Sequence, residues 1–155
     1  MPIFARLMYG VVSFASRKGI RGEDGGGLAE RKVRARTGVR GETFAYWYLR
    51  RHGYVMIARN FKRPGIKGEI DLIGFDGAVL AFIEVKTRSA DGEAAGNPED
   101  AVNAEKRRNL SRMAWSFLRD ARVPKAQCRF DVLAIESQPG KRPIVRLHKD
   151  AFAAR

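Results

Sequence analysis

The chain has 155 residues, 45% of them apolar, which suits one domain with a real core and leaves too little for two comfortable ones. Thirty Lys and Arg against seventeen Asp and Glu leave a net charge of +13, an excess that draws polyanions and points to nucleic acid as partner. A single cysteine, Cys128, excludes an intramolecular disulfide framework and a cysteine-cluster metal site, and no apolar run reaches the ~20 residues that span a membrane.

Residues 1–36 read as a flexible basic extension, with the folded domain expected over 37–155. The opening "MPIFARLMYGVVSFASRKG" sets a short apolar run behind Arg6, in the manner of a signal peptide. Its flank around Ser13 to Ser16 offers no clean small-x-small cleavage site, so a cytoplasmic protein is expected. Next comes "RKGIRGEDGGGLAERKVRAR", dense in glycine and charge and unable to order itself alone. No Gly-Lys-Ser/Thr follows its triple glycine, which excludes a phosphate loop.

The first predicted element is a helix in "TGVRGETFAYWYLRRHG". Gly38, Gly41, Glu42, Ala45, Tyr48 and Leu49 share one face, and Gly53 supplies the stop. A strand follows in "YVMIARNF", then a two-stranded hairpin in "GEIDLIGFDGAVLAFIEVKTR". A second helix is expected from Asn97 as N-cap and Pro98 at its first position. Its apolar stripe is Val102, Leu110, Met113, Ala114, Phe117 and Leu118. Strands in "CRFDVLAIE" and "PIVRLHKDAF", parted by a turn at Pro139-Gly140, complete the order α-β-β-β-α-β-β. That order predicts an α/β sandwich with a mixed central sheet flanked by helices.

Asp76-Gly77 is a strong signal for a two-residue hairpin loop, predicting Phe75 opposite Ala78, Asp71 opposite Phe82 and Glu69 opposite Glu84. Side chains alternate along a strand, so Glu69, Asp71, Glu84 and Lys86 fall on one face at the open end of the hairpin. Ile70, Leu72, Val79, Ile83 and Val85 fall on the other. Like charges so close destabilise a sheet unless they hold a cation or shift a pKa. Hard oxygen ligands in small number suit Mg²⁺ or Mn²⁺ with substrate phosphate, and a neighbouring lysine suits phosphodiester hydrolysis. On residue geometry alone, a hairpin end wearing solvated charges fits equally well.

Asp71, twelve intervening residues, then Glu84-Val85-Lys86 resembles the PD-(D/E)xK nuclease pattern, with Ile70 in place of its proline. The ordered set "GVRGETFAYWYLRRHGYVMIARNF", "GEIDLIGFDG", "AFIEVKTRS" and "AVNAEKRRNL" resembles the YraN family, itself similar to archaeal Holliday-junction resolvases. The likeness spans roughly 38–152. It implies a restriction-endonuclease-like fold and a Mg²⁺- or Mn²⁺-dependent endonuclease. Asp71, Glu84 and Glu42 would then be the metal-binding carboxylates, Lys86 the catalytic lysine, and Glu69 a supporting acid. DNA, branched or single-stranded, is the implied substrate, and related resolvases work as dimers.

The remaining charged residues have plainer expectations. Arg88, Lys106, Arg107, Arg108 and Arg112 are read as a phosphate-binding surface beside the site. Asp131 is read as a buried, hydrogen-bonded acid. His52 and His148 lack metal-ligand spacing. The alternative to an endonuclease is a nucleic-acid-binding module that keeps the fold without turnover.

Overall fold

The computed structural model describes residues 41–89, 102–123, 125–137 and 140–153. Residues 1–36, read as an extension, residues 90–101 with the expected N-cap Asn97 and first-position Pro98, and Pro139 of the expected turn lie outside the described residues.

Helix α1 occupies 41–51 of the described chain. Gly53, at φ +88°, ends it: the Gly53 N–H donates to the Arg50 carbonyl and the Tyr54 N–H to the Leu49 carbonyl. This is a left-handed glycine stop, and Tyr54 packs back with Leu49 in one core cluster. Strand β1 (Val55–Phe61) pairs antiparallel with β2 (Ile70–Asp76), and β2 pairs antiparallel with β3 (Val79–Ser89). Helix α2 (Ala104–Asp120) then carries the chain across to β4 (Cys128–Ser137), parallel to β3, and β5 (Ile144–Phe152) closes the sheet antiparallel to β4. The five strands lie in sequence order, and the single parallel pair sits where a helical crossover makes it reachable. This is the α/β sandwich with a mixed sheet that the element order predicts.

Among the described residues, one helix covers each face. Ala45 and Leu49 of α1 pack on Leu72, Ala81, Ile83, Leu133 and Ile135. On the opposite face, the α2 stripe from Leu110 to Leu118 packs on Ile73, Phe75, Leu80, Phe82, Phe130 and Val132, with the Phe117 ring edge-on to Phe61 and Phe82. At about 1.5–3 kcal/mol for each large apolar side chain buried, the α2 stripe contributes on the order of 10 kcal/mol.

Two local expectations are corrected. Helix α2 starts at Ala104, because Asn103 has extended backbone (φ −65°, ψ 166°) and its side chain accepts the Lys106 N–H at 2.8 Å. In the hairpin, Asp76 pairs with Val79 and Phe75 with Leu80, so the loop is Gly77-Ala78 and the register is shifted by two residues. Gly77 takes φ +59° at the first central position while Ala78 keeps a negative φ, the pattern of a type II′ turn.

Candidate active site

A shift of two preserves the faces and changes the partners. Continuing the observed register one step past Leu72–Ile83 sets Asp71 opposite Glu84, with Glu69 beyond the start of β2. Asp71 and Glu84 lie on the α2 face, at the end of the row that also holds Ile73, Phe75 and Phe82. Hence both are buried, Asp71 at 8% and Glu84 at 4% exposure. Ile70 joins the α2-side cluster as well, because strict alternation relaxes where β2 begins.

Each carboxylate is partly satisfied. One Asp71 oxygen, Oδ2, accepts the Val85 N–H at 2.7 Å. At Glu84, Oε1 meets Lys86 Nζ at 2.9 Å and also Lys106 Nζ, which reaches over from the first turn of α2. The other oxygen, Glu84 Oε2, is buried with no hydrogen-bond partner. A buried carboxylate oxygen left bare is costly unless something else binds it.

The electrostatics agree with a crowded acidic site. Burial, and then the Glu84 charge, push the Asp71 carboxyl up to about 7, against the Val85 hydrogen bond and Lys106. Glu42, half-buried on α1, is also raised, first by burial and then by Glu69 and Glu84, while Asn60 and Arg59 pull it down. Burial works against the Lys106 ammonium, but Glu84 and Asp71 outweigh it and hold its pKa up.

Glu42 therefore lies within the field of Asp71 and Glu84. It is placed there by a close approach: a Cβ on Gly41 would stand 2.1 Å from Thr87 Oγ1, so only glycine lets α1 settle on β3. Asn60, not singled out in the sequence, bonds Glu42 from a left-handed backbone at φ +50°. Asparagine tolerates that conformation better than most residues, which is the one local signal it offered.

The predicted site residues sort as follows. Asp71, Glu84, Lys86 and Lys106 are brought into one network, and Arg88 follows Lys86 on the same side of β3. Glu69 pairs instead with Lys62 at 3.2 Å. Arg108 and Arg112 are exposed on α2, whereas Arg107 donates to the Val102 carbonyl and lies over the Phe152 ring. Asp131 is buried, as expected, but sits on the α1 face, away from Glu84. It accepts from Tyr54, from Arg129 and from the Asp150 N–H. His52 bonds the Tyr48 carbonyl through its ring and takes no part in the Glu84 network.

The donor set fits a small hard cation in part. Asp71 and Glu84 offer two carboxylates and a bare oxygen, and Mg²⁺ is commonly held by one or two carboxylates plus phosphate. Among the described residues no group of three or more His, Cys, Asp and Glu stands ready to hold a metal, so Glu42 is a neighbour of the pair in this conformation.

An α/β sandwich of the restriction-endonuclease-like kind, carrying an acid–acid–lysine network on its central hairpin, defines the class of protein. The chain belongs to the family described as "Uncharacterised protein family UPF0102", whose profile matches residues 41–135, and this is the YraN group that the motifs resemble. It is 43% identical to a UPF0102 protein of Koribacter versatilis, over 76% of this chain and 79% of that one. A UPF0102 protein of Symbiobacterium thermophilum is 44% identical, over 77% of this chain and 98% of the relative. One from Nocardia farcinica is 39% identical over 74% and 87% of the two chains. No helix among the described residues is long and apolar enough to cross a membrane.

Proposed function

We propose that the protein binds nucleic acid and hydrolyses phosphodiester bonds as a Mg²⁺- or Mn²⁺-dependent endonuclease acting on DNA, branched or single-stranded. The observation that carries this reading is Glu84: a buried carboxylate facing Asp71, with two lysines on one oxygen and nothing on the other. Asp71 and Glu84 would hold the cation, which would supply Lewis acidity at the phosphate and a more acidic attacking water. Lys86, tethered at 2.9 Å to Glu84, is positioned to stabilise charge that develops at phosphorus. Lys106 neutralises the same carboxylate from α2, and exposed Arg88, Arg108 and Arg112 offer contacts to the substrate backbone. The net charge of +13 supports a polyanionic substrate.

The test incubates the purified chain with junction, single-stranded and duplex DNA in Mg²⁺ or Mn²⁺. Cleavage should require metal and disappear in Asp71→Asn and Glu84→Gln; cleavage that survives both substitutions would sink the site. A second reading, a binding module without turnover, draws support from the two ammonium groups that already neutralise Glu84 Oε1. It expects salt-sensitive DNA binding, indifferent to metal, with every substrate left intact.

A further inference from the structure

The outward surface of α1 is not used by the site. Phe44 and Trp47 are 40% and 54% exposed there, although Ala45 and Leu49 on the inner side of the same helix are fully buried. Phe44, Tyr48 and His52 stack in turn, with ring centroids 6.4 and 4.1 Å apart. Trp47 stands edge-on to Tyr46, and the Arg50 guanidinium lies over both rings at 5.2 and 5.7 Å. Arg59, from β1, covers Tyr46 at 5.1 Å. After Glu42 the helix carries no acid through Gly53.

We infer that this face is a stacking surface for unpaired bases, so that α1 binds single-stranded nucleic acid. Every base has a π-face that an exposed aromatic ring can receive, and guanidinium groups set among such rings reach the phosphates between the bases. Charge decides against two other occupants. A second copy docked face to face would set Arg50 and Arg51 against their equivalents in a chain of net charge +13. Residues 1–40 carry nine Lys and Arg against three Asp and Glu, the wrong sign for an arginine-lined surface. A polyanion with exposed aromatic bases matches both halves of the surface. This inference rests on the nucleic-acid-binding part of the reading above and not on hydrolysis.

The test uses the full chain carrying Trp115→Phe, which leaves Trp47 as the sole indole, and titrates it with an oligothymidylate strand or a duplex of equal length. The strand should quench Trp47 fluorescence and bind tighter than the duplex. Trp47→Ala should weaken strand binding by about tenfold or more, and Trp47→Phe should retain most of it. Unchanged strand affinity in Trp47→Ala, with its thermal unfolding intact, overturns the proposal. So does concentration-dependent dimerisation that Trp47→Ala abolishes, or deletion of residues 1–40 that exposes Trp47 to acrylamide. Cleavage by the wild-type chain, measured beside Trp47 quenching, separates the two readings. If Trp47 is quenched while the wild-type chain cleaves nothing, the nuclease reading fails and this one stands. If cleavage persists with strand binding blind to Trp47, the reverse holds.

Discussion

Asp71 Oδ2 accepts the backbone N–H of Val85 at 2.7 Å, tying the carboxylate of β2 to the residue that follows Glu84. The bond fixes one oxygen and opposes the burial and the Glu84 charge that push Asp71 up to about 7. A carboxyl whose folded pKa lies above its unfolded value, near 3.8, binds its proton more tightly in the folded state. In metal-free protein the stability therefore rises as pH falls from about 7 towards 4, and the ionised form costs stability above that window. Asp71→Asn keeps an oxygen for Val85 and removes the charge. Its unfolding free energy should exceed that of the wild type at pH 8 by an amount on the order of a few kcal/mol, and converge with it near pH 4. Thermal unfolding of both chains in chelator from pH 4 to 8 measures this; curves that stay parallel would remove the electrostatic account of Asp71.

Glu84 shares one oxygen between two lysines from different elements, so their contributions are coupled. Lys106→Met still leaves Lys86 on Oε1, and because Lys106 is partly exposed the loss should be about 1–2 kcal/mol. Lys86→Met should cost a similar amount. The double substitution strips a buried charge of both cations and should cost more than the two singles together, in the range of about 3–5 kcal/mol. Urea unfolding of the four chains measures the cycle, and simple additivity would show that the lysines do not act on one charge.

How much of this was legible in the sequence depends on distance along the chain. Alternation placed Asp71, Glu84 and Lys86 on one face without knowledge of the turn, because a two-residue slip keeps parity. The register itself was not legible. Asp76-Gly77 and Gly77-Ala78 both fit a local turn, and Asp76 is held in the strand by Arg129 and Lys149, 53 and 73 residues away. Likewise Asn97 and Asn103 are equally good caps by residue type, and packing of the α2 stripe on the sheet selects Asn103. In the sequence Lys106 reads as a phosphate contact, because the parallel β3–β4 crossover, which lays α2 over Glu84, leaves no local trace.

Asp131, whose exposure is 0%, belongs to a separate network. Its oxygens satisfy Arg129, Tyr54 and the Asp150 N–H, the last holding Asp150 at φ +54° where the β4–β5 register shifts. Asp131→Ala leaves a guanidinium, a hydroxyl and an amide without their acceptor, so a loss of about 3–5 kcal/mol is expected. Asp131 faces α1 and Glu84 faces α2. Variant protein that remains folded should accordingly cleave DNA as the wild type does in a metal-dependent nicking assay, and altered cleavage at full foldedness would link the two networks.

Gly41 sets how close α1 comes to β3, and with it the place of Glu42. In Gly41→Ala the new methyl meets Thr87 Oγ1 at 2.1 Å and Thr87 Cβ at 3.3 Å. Helix propensity alone would favour alanine by about 1 kcal/mol, but an atom inserted into a packed contact costs about 1–3 kcal/mol. Overpacking should win, because Thr87 lies in the central strand and its backbone is pinned by pairing with Ile135. Thr87→Ala deletes the nearer atom, so the pair Gly41→Ala/Thr87→Ala should recover most of the loss, the remaining contact being tight but tolerable. Calorimetric unfolding of the two singles and the double decides it. A stable Gly41→Ala single would mean that α1 can lift from β3 freely, and that the field of Glu42 on Asp71 and Glu84 is not fixed by this contact.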